Sequence, residues 1–183
     1  MGTPYIIPSK SSSILKIGDS FQGGVIFYFL APGQKINQGR PDSISYDPLV
    51  QHGLIAATED QAKSVWANDK NYSKISTENG LGMGLKNTEN IILSLGKTYA
   101  AGIANTHNGG GYSDWYLPSR DELKILLENR VAVGNFTTML TYWSSTDFST
   151  DKAYTKRINS NATIYDVSYA KKGSYGVRAI RSF

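Results

Sequence analysis

The cations decide what chemistry is open to this chain. Between Asp151 and Phe183 stand seven basic residues (Lys152, Lys156, Arg157, Lys171, Lys172, Arg178, Arg181) against two acids, Asp151 and Asp166. The chain of 183 residues is +4 overall, so the excess is concentrated in this segment. Ammonium and guanidinium groups hold sulfate or phosphate oxygens by charge-assisted hydrogen bonds, and a local excess steers anionic partners. Lys156 and Arg157 are adjacent on an expected strand and so project to opposite faces. Lys171-Lys172 precede Gly173-Ser174 and read as an exposed hairpin tip, and Lys152 is placed in a loop between strands. These five are the first candidates for an anionic ligand, with Arg120 and Lys124 behind them. For any single lysine a solvated face is the ordinary outcome. Arg178 and Arg181 sit in the closing "VRAIR" strand, where pairing within the fold is expected.

Other chemistries find fewer parts. No cysteine is present, which excludes thiol catalysis and thiolate metal sites. His52 and His107 have no second metal-binding histidine nearby in sequence, so no metal is expected. The hydroxyls of "YWSST", Tyr142–Thr146, lack a recognisable base and an elbow motif, and read instead as a strand alternating between core and surface. Asp114 and Asp147 could be the two carboxylates of a glycosidase, but no motif supports that role. The expectation is therefore no catalytic residue, no enzymatic activity and no cofactor. Nucleic acid is a polyanion too, yet no recognised binding motif accompanies the charge. No apolar run approaches the ~18 residues of a membrane span, and no signal peptide is visible. Met1-Gly2-Thr3-Pro4 reads as the start of a fragment.

Something must position those cations. Residues 1–16 read as an extended lead-in, and residues 17–183 as one domain, a usual domain size. A strand is expected at Val25–Leu30, a long loop over Ala31–Val50, a buried strand near Leu54–Ala57 and irregular chain over residues 62–86. A helix should open with Asn87 or Thr88 as its cap and carry Ile91, Ile92, Leu95, Tyr99 and Ile103 on one face, with Gly96 as an interruption. The densest stretch is "GGGYSDWYLPSRDEL", Gly109–Leu123. It could place Asp114 and Arg120 in a ligand loop. The favoured reading is a corner: glycines in close approach, Trp115 and Leu117 in the core, and Ser119 with Glu122 forming a capping box. Leu123, Leu126 and Leu127 then form an apolar stripe. Strands fill the remainder: "TYWSST", "KAYTKRI", "ATIYDVSYA" and "YGVRAIRSF". Strand, loop, two helices and then strands make an α+β fold with segregated helices.

Six pieces occur in order: "GDSFQGGVIFYF", "HGLIAA", "GLGMGLKNTE", "GGYSDWYLPSRDEL", "YWSST" and "GVRAIRSF". Together they resemble the Lcl C-terminal domain family of bacterial surface and secreted proteins, over about Ile17 to Phe183. The resemblance implies a C-type-lectin-like fold: two helices, a mixed antiparallel sheet, terminal strands side by side and long loops at one end. It also implies an extracellular domain of a collagen-like adhesin that forms a homotrimer and binds sulfated glycosaminoglycans such as heparin. No collagen-like Gly-X-Y segment occurs in this sequence.

Calcium-dependent sugar binding in that fold class uses loop motifs whose nearest counterparts here are "RPD" (Arg40–Asp42) and "WAND" (Trp66–Asp69). Both depart from the pattern, and Asp42, Asn68 and Asp69 read as turn residues. Relatives in that fold class that act through cysteine are excluded by its absence. The reading is a non-catalytic adhesin domain for sulfated polysaccharide. The alternative is a receptor-binding tip for protein or neutral glycan, using Tyr112, Tyr142, Tyr154, Tyr165, Tyr169 and Asn159–Asn161.

Overall fold

The computed structural model describes residues 14–38, 40–136 and 141–183, so most of the expected lead-in lies outside the described residues. The Leu15 amide donates to Gln51 Oε1 at 2.8 Å and the Leu15 carbonyl accepts from Gln51 Nε2 at 3.0 Å. Contact with the fold therefore begins before the expected boundary at Ile17.

The fold is α+β. Strands β1 (Ser20–Phe21), β2 (Gly24–Phe29), β5 (Gly53–Ala57) and β11 (Ile180–Ser182) form one sheet in the order β1-β2-β5-β11. A second sheet has the order β6-β10-β7-β8-β9, from β6 (Gln61–Ser64), β7 (Thr141–Asp147), β8 (Lys152–Ile158), β9 (Ile164–Ala170) and β10 (Tyr175–Val177). Within the expected long loop, β3 (Lys35–Ile36) and β4 (Ile44–Ser45) pair as a small ribbon. The first and last strands share a sheet but are not neighbours, because β2 and β5 lie between β1 and β11. The side-by-side arrangement implied by the resemblance is thus not found.

Among the described residues four α-helices appear instead of two: α1 (Gly84–Leu95), α2 (Ala100–Asn105), α3 (Arg120–Glu128) and α4 (Arg130–Val133). Gly96, at φ +76°, ends α1, and α2 restarts at Ala100. Asn87 and Thr88 do not cap α1; they lie inside it. Asn87 holds both the amide and the carbonyl of Glu78, at 2.8 and 2.7 Å, and Thr88 Oγ1 accepts the Leu117 amide at 3.1 Å. Their polar groups tie neighbouring loops to the helix. Helix α3 has the expected capping box: Ser119 Oγ accepts the Glu122 amide and Glu122 Oε2 accepts the Ser119 amide at 2.8 Å.

Burial on two sides explains why several strands carry no polar alternation. On β5, Ile55 and Ala57 pack with Ile26, Trp66, Trp115 and Trp143, while Leu54 and Ala56 pack with Phe27, Tyr116 and the α3 leucines. Strand β7 is buried at every position, so the expected core-and-surface alternation fails there. Trp143 enters the first cluster and Tyr142 the second. The Gly109–Leu123 corner is as read, with Trp115 and Leu117 fully buried. A Cβ on Gly23 would lie 2.3 Å from the Gly109 carbonyl, so only glycine permits this crossing.

Candidate functional site

The cations divide into those the fold uses internally and those it presents. Lys171 was expected at an exposed tip and is instead fully buried. Its Nζ lies 3.0 Å from Asp147, donates to the Ser73 carbonyl at 2.8 Å and sits 4.6 Å over the Trp66 ring. Burial pushes its ammonium pKa down. The reason is local: the Asp147 carboxylate, which also accepts the Ile75 amide at 2.7 Å, needs a counter-charge inside the protein. Lys171 therefore staples residues 73–75 to the end of β7. Lys172 is exposed and lies 3.8 Å from Asp69. Arg178 donates to Asp60 at 2.6 Å, and Arg181 donates to Asp114 at 2.7 and 2.9 Å while covering Tyr112 at 3.9 Å. Both closing-strand arginines serve the fold.

A different group converges on one face of β8. Lys152, Tyr154 and Lys156 alternate to the same side, and α3 packs against β8 and β9. Lys156, nearly buried, places its Nζ 3.0 Å from Asp166 on β9, the residue directly opposite in register. From α3, Arg120 donates Nε to Asp166 Oδ2 at 2.6 Å, with Nη2 on the same oxygen, and its guanidinium lies 4.3 Å over the Tyr154 ring. Burial raises the Asp166 pKa, but the hydrogen bonds from Arg120 and Lys156 outweigh it and hold the carboxyl below its ordinary value. The bond to Asp166 in turn raises the Arg120 pKa. Two basic side chains thus share one carboxylate.

The row continues past Tyr154. Phe148, 46% exposed, meets the Tyr154 ring edge-on at 5.1 Å. Lys74 donates to the carbonyls of Asp147 and Phe148 at 3.0 and 2.8 Å, which anchors its ammonium at the end of β7, near Lys171. Lys152 opens β8 rather than lying in a loop; it is exposed and has no ion-pair partner among the described residues. Lys124 lies one turn along α3 from Arg120, exposed and 3.7 Å from Glu128.

Of the seven sequence candidates, the structure gathers Lys152, Lys156, Arg120 and Lys124 on the α3–β8 side. It does not bring Arg157, Lys171 or Lys172 to them. Arg157 is exposed on the opposite face of β8, across from Tyr165. Sequence reasoning missed Phe148, which meets this face from the β7–β8 turn, where no periodicity could be read.

The alternative candidates fare unevenly. Tyr142 is buried and donates to Asp60 at 2.7 Å, and Tyr169 packs beside Tyr175. Asn159 serves its own turn, accepting the Thr163 amide at 2.8 Å and donating to Tyr165 at 3.1 Å. Asp114 and Asp147, the possible glycosidase pair, are both held in ion pairs. His52 faces the Phe183 carbonyl at 3.2 Å, and His107 meets Trp115 edge-on, where burial lowers its pKa. Asp42 pairs with Arg40 at 2.8 Å, and among the described residues no three His, Asp or Glu side chains come together for a metal ion. Among the described residues no helix is long and apolar enough to cross a membrane.

No family model and no curated protein matches the chain. A fimbrial protein from Bacteroides ovatus ATCC 8483 is similar in structure, with a TM-score of 0.50 and 18% identity over 86% of this chain. The match covers 43% of that protein, so the chain spans less than half its length. At this identity the likeness is one of fold.

Proposed function

We propose that residues 17–183 form a non-catalytic binding domain of a bacterial surface protein, and that its α3–β8 face holds a sulfated polysaccharide. The fold shared with part of a fimbrial protein supports the extracellular setting. The motif resemblance to the Lcl C-terminal domain family supports the adhesin class, the C-type-lectin-like relationship and assembly as a homotrimer.

The observation that carries the ligand class is the sharing of Asp166 by Arg120 and Lys156. That trio keeps one net positive charge, and Lys152 adds an exposed ammonium on the same face of β8. Each exposed contact to a sulfate is worth at most about 1 kcal/mol, so one domain binds weakly. A trimer engaging one long chain multiplies the contacts through effective concentration. Phe148, about half exposed, supplies apolar surface for a sugar ring between sulfates.

Titration with heparin and with an unsulfated polysaccharide, at low and high salt, tests this. Heparin affinity is expected to fall steeply with salt as counterions compete. Lys152→Glu should weaken it several-fold, and Arg157→Glu, on the other face, should matter much less. Equal heparin affinity at both salt concentrations overturns the proposal.

A further inference from the structure

A second feature lies outside the cationic face. Two loops, one carrying Gly33–Gln38 and the other Glu78–Met83, enclose an open cleft of about 480 Å³. This is within the range of small-ligand sites. Both walls are held in place. Gln38 reaches across with Nε2 to the carbonyls of Lys35 and Leu81, at 3.3 and 3.2 Å. The Asn79 carbonyl accepts the Asp121 amide at 3.0 Å, and the Gly80 carbonyl accepts the Ser119 hydroxyl at 2.8 Å. Gly82, at φ +81°, allows the walls to meet, since a Cβ there would stand 2.6 Å from the Ile36 Cα.

What the walls leave unused defines the ligand. Gln34 Oε1 is taken by the Tyr28 hydroxyl and the Ala31 amide, both at 2.7 Å, leaving its Nε2 to donate. Gln38 donates with Nε2, leaving Oε1 to accept. Glu78 engages Lys86 at 3.2 Å through Oε1 alone, leaving Oε2 to accept. The Asn79 side chain and the Lys35 ammonium have no hydrogen-bond partner among the described residues. The free groups are therefore a mixture of donors and acceptors, with Lys35 as the unpaired cation and the Glu78 carboxylate already shared with Lys86. An anion wants donors only. A hydroxyl both donates and accepts, and a ring of hydroxyls is what such a set satisfies. Leu81 and Met83 add apolar wall against which C–H groups can pack.

We propose that this cleft is a subsite for one neutral, hydroxyl-rich pyranose unit, separate from the cationic face. The test is ligand-observed saturation-transfer NMR on the whole chain with glucose, galactose, mannose and N-acetylglucosamine, alongside amide shifts mapped onto the two loops. At least one sugar should bind in the millimolar range and shift the amides of Gln38, Gly80 and Leu81. Asn79→Ala and, separately, Glu78→Ala should each weaken it about fivefold, the loss of one net hydrogen bond. Both sites are exposed, so folding should be unaffected, with the melting temperature as the check. Lys152→Glu should leave sugar binding unchanged even where it removes heparin binding, so failure of either proposal is seen by itself. No shift from any of the four sugars, binding unchanged in both cleft variants, or inorganic sulfate shifting those amides instead of sugar would overturn the assignment.

Discussion

Replacing Lys171 by methionine separates folding from binding among the basic residues. The change keeps a long apolar stem beside Trp66 but removes the ammonium 3.0 Å from Asp147. Asp147, fully buried as a side chain, would then hold a carboxylate whose remaining donor is the Ile75 amide at 2.7 Å. Breaking one side of a buried pair costs roughly 3–5 kcal/mol, far above the ~1 kcal/mol of an exposed contact. At ~2–4 °C per kcal/mol for a chain of this size, the melting temperature should fall by roughly 6–20 °C. Adding Asp147→Asn removes the stranded charge while its amide oxygen can still accept from Ile75, and should restore most of the loss. Urea or thermal unfolding followed by circular dichroism measures both. Heparin affinity of the folded fraction should match the parent in each variant. A Lys171→Met chain as stable as the parent, or a double variant no better than the single one, refutes the buried-pair argument. A fully stable single variant that loses heparin binding would return Lys171 to the surface.

Three further perturbations bear on other parts. Asp166→Asn releases both Arg120 and Lys156 from their shared carboxylate, so heparin affinity should rise about fivefold, and a fall would mean that Asp166 chiefly positions the two cations. Burial holds the Glu122 carboxyl at about 7 against an ordinary 4.5, despite backbone amides from Gly82, Gly84 and Ser119 that pull it down. The native state then carries a proton that the unfolded state has lost between about 4.5 and about 7. Stability must fall across that window as pH rises, by roughly 3 kcal/mol, and level off above it. Urea midpoints at intervals across the window check this, and Glu122→Gln should flatten the slope. Gly23→Ala and Gly33→Ala both force a side chain to positive φ, at +85° and +82°, a strain of about 1–3 kcal/mol. Only the first also drives a Cβ into the Gly109 carbonyl, so it should be the more destabilising by a clear margin in the same melts.

Local chemistry was legible in the sequence wherever neighbouring residues complete it. The Ser119–Glu122 capping box needs three residues of helix and nothing else, and it forms as read. The strands at Val25–Leu30 and Leu54–Ala57 announce themselves by β-branched and aromatic runs, and the structure has β2 and β5 there. The errors came where a distant segment claims a polar group. Asn87 and Thr88 carry the chemistry of helix caps, yet Glu78 and Leu117 occupy them, and the helix starts earlier. Tyr142–Thr146 reads as a strand alternating between core and surface. Its hydroxyls instead serve buried backbone, as when Ser144 donates to the Tyr154 carbonyl at 2.9 Å.

The same logic governs the candidate site. A run of lysines in the sequence has no acid partners until the fold supplies them, and each partner changes what the lysine can do. Asp147, in a dry interior, takes Lys171 out of reach of any ligand. Asp166, at a sheet face 31% exposed, holds Lys156 and Arg120 without neutralising both. Charge density along the chain pointed to residues 151–183, but the carboxylates at each place separate the cations held inside from those presented. On the Tyr154 face of β8, Lys152 stands exposed beside the trio of Arg120, Asp166 and Lys156, and Phe148, unseen in the sequence, extends that face beyond Tyr154.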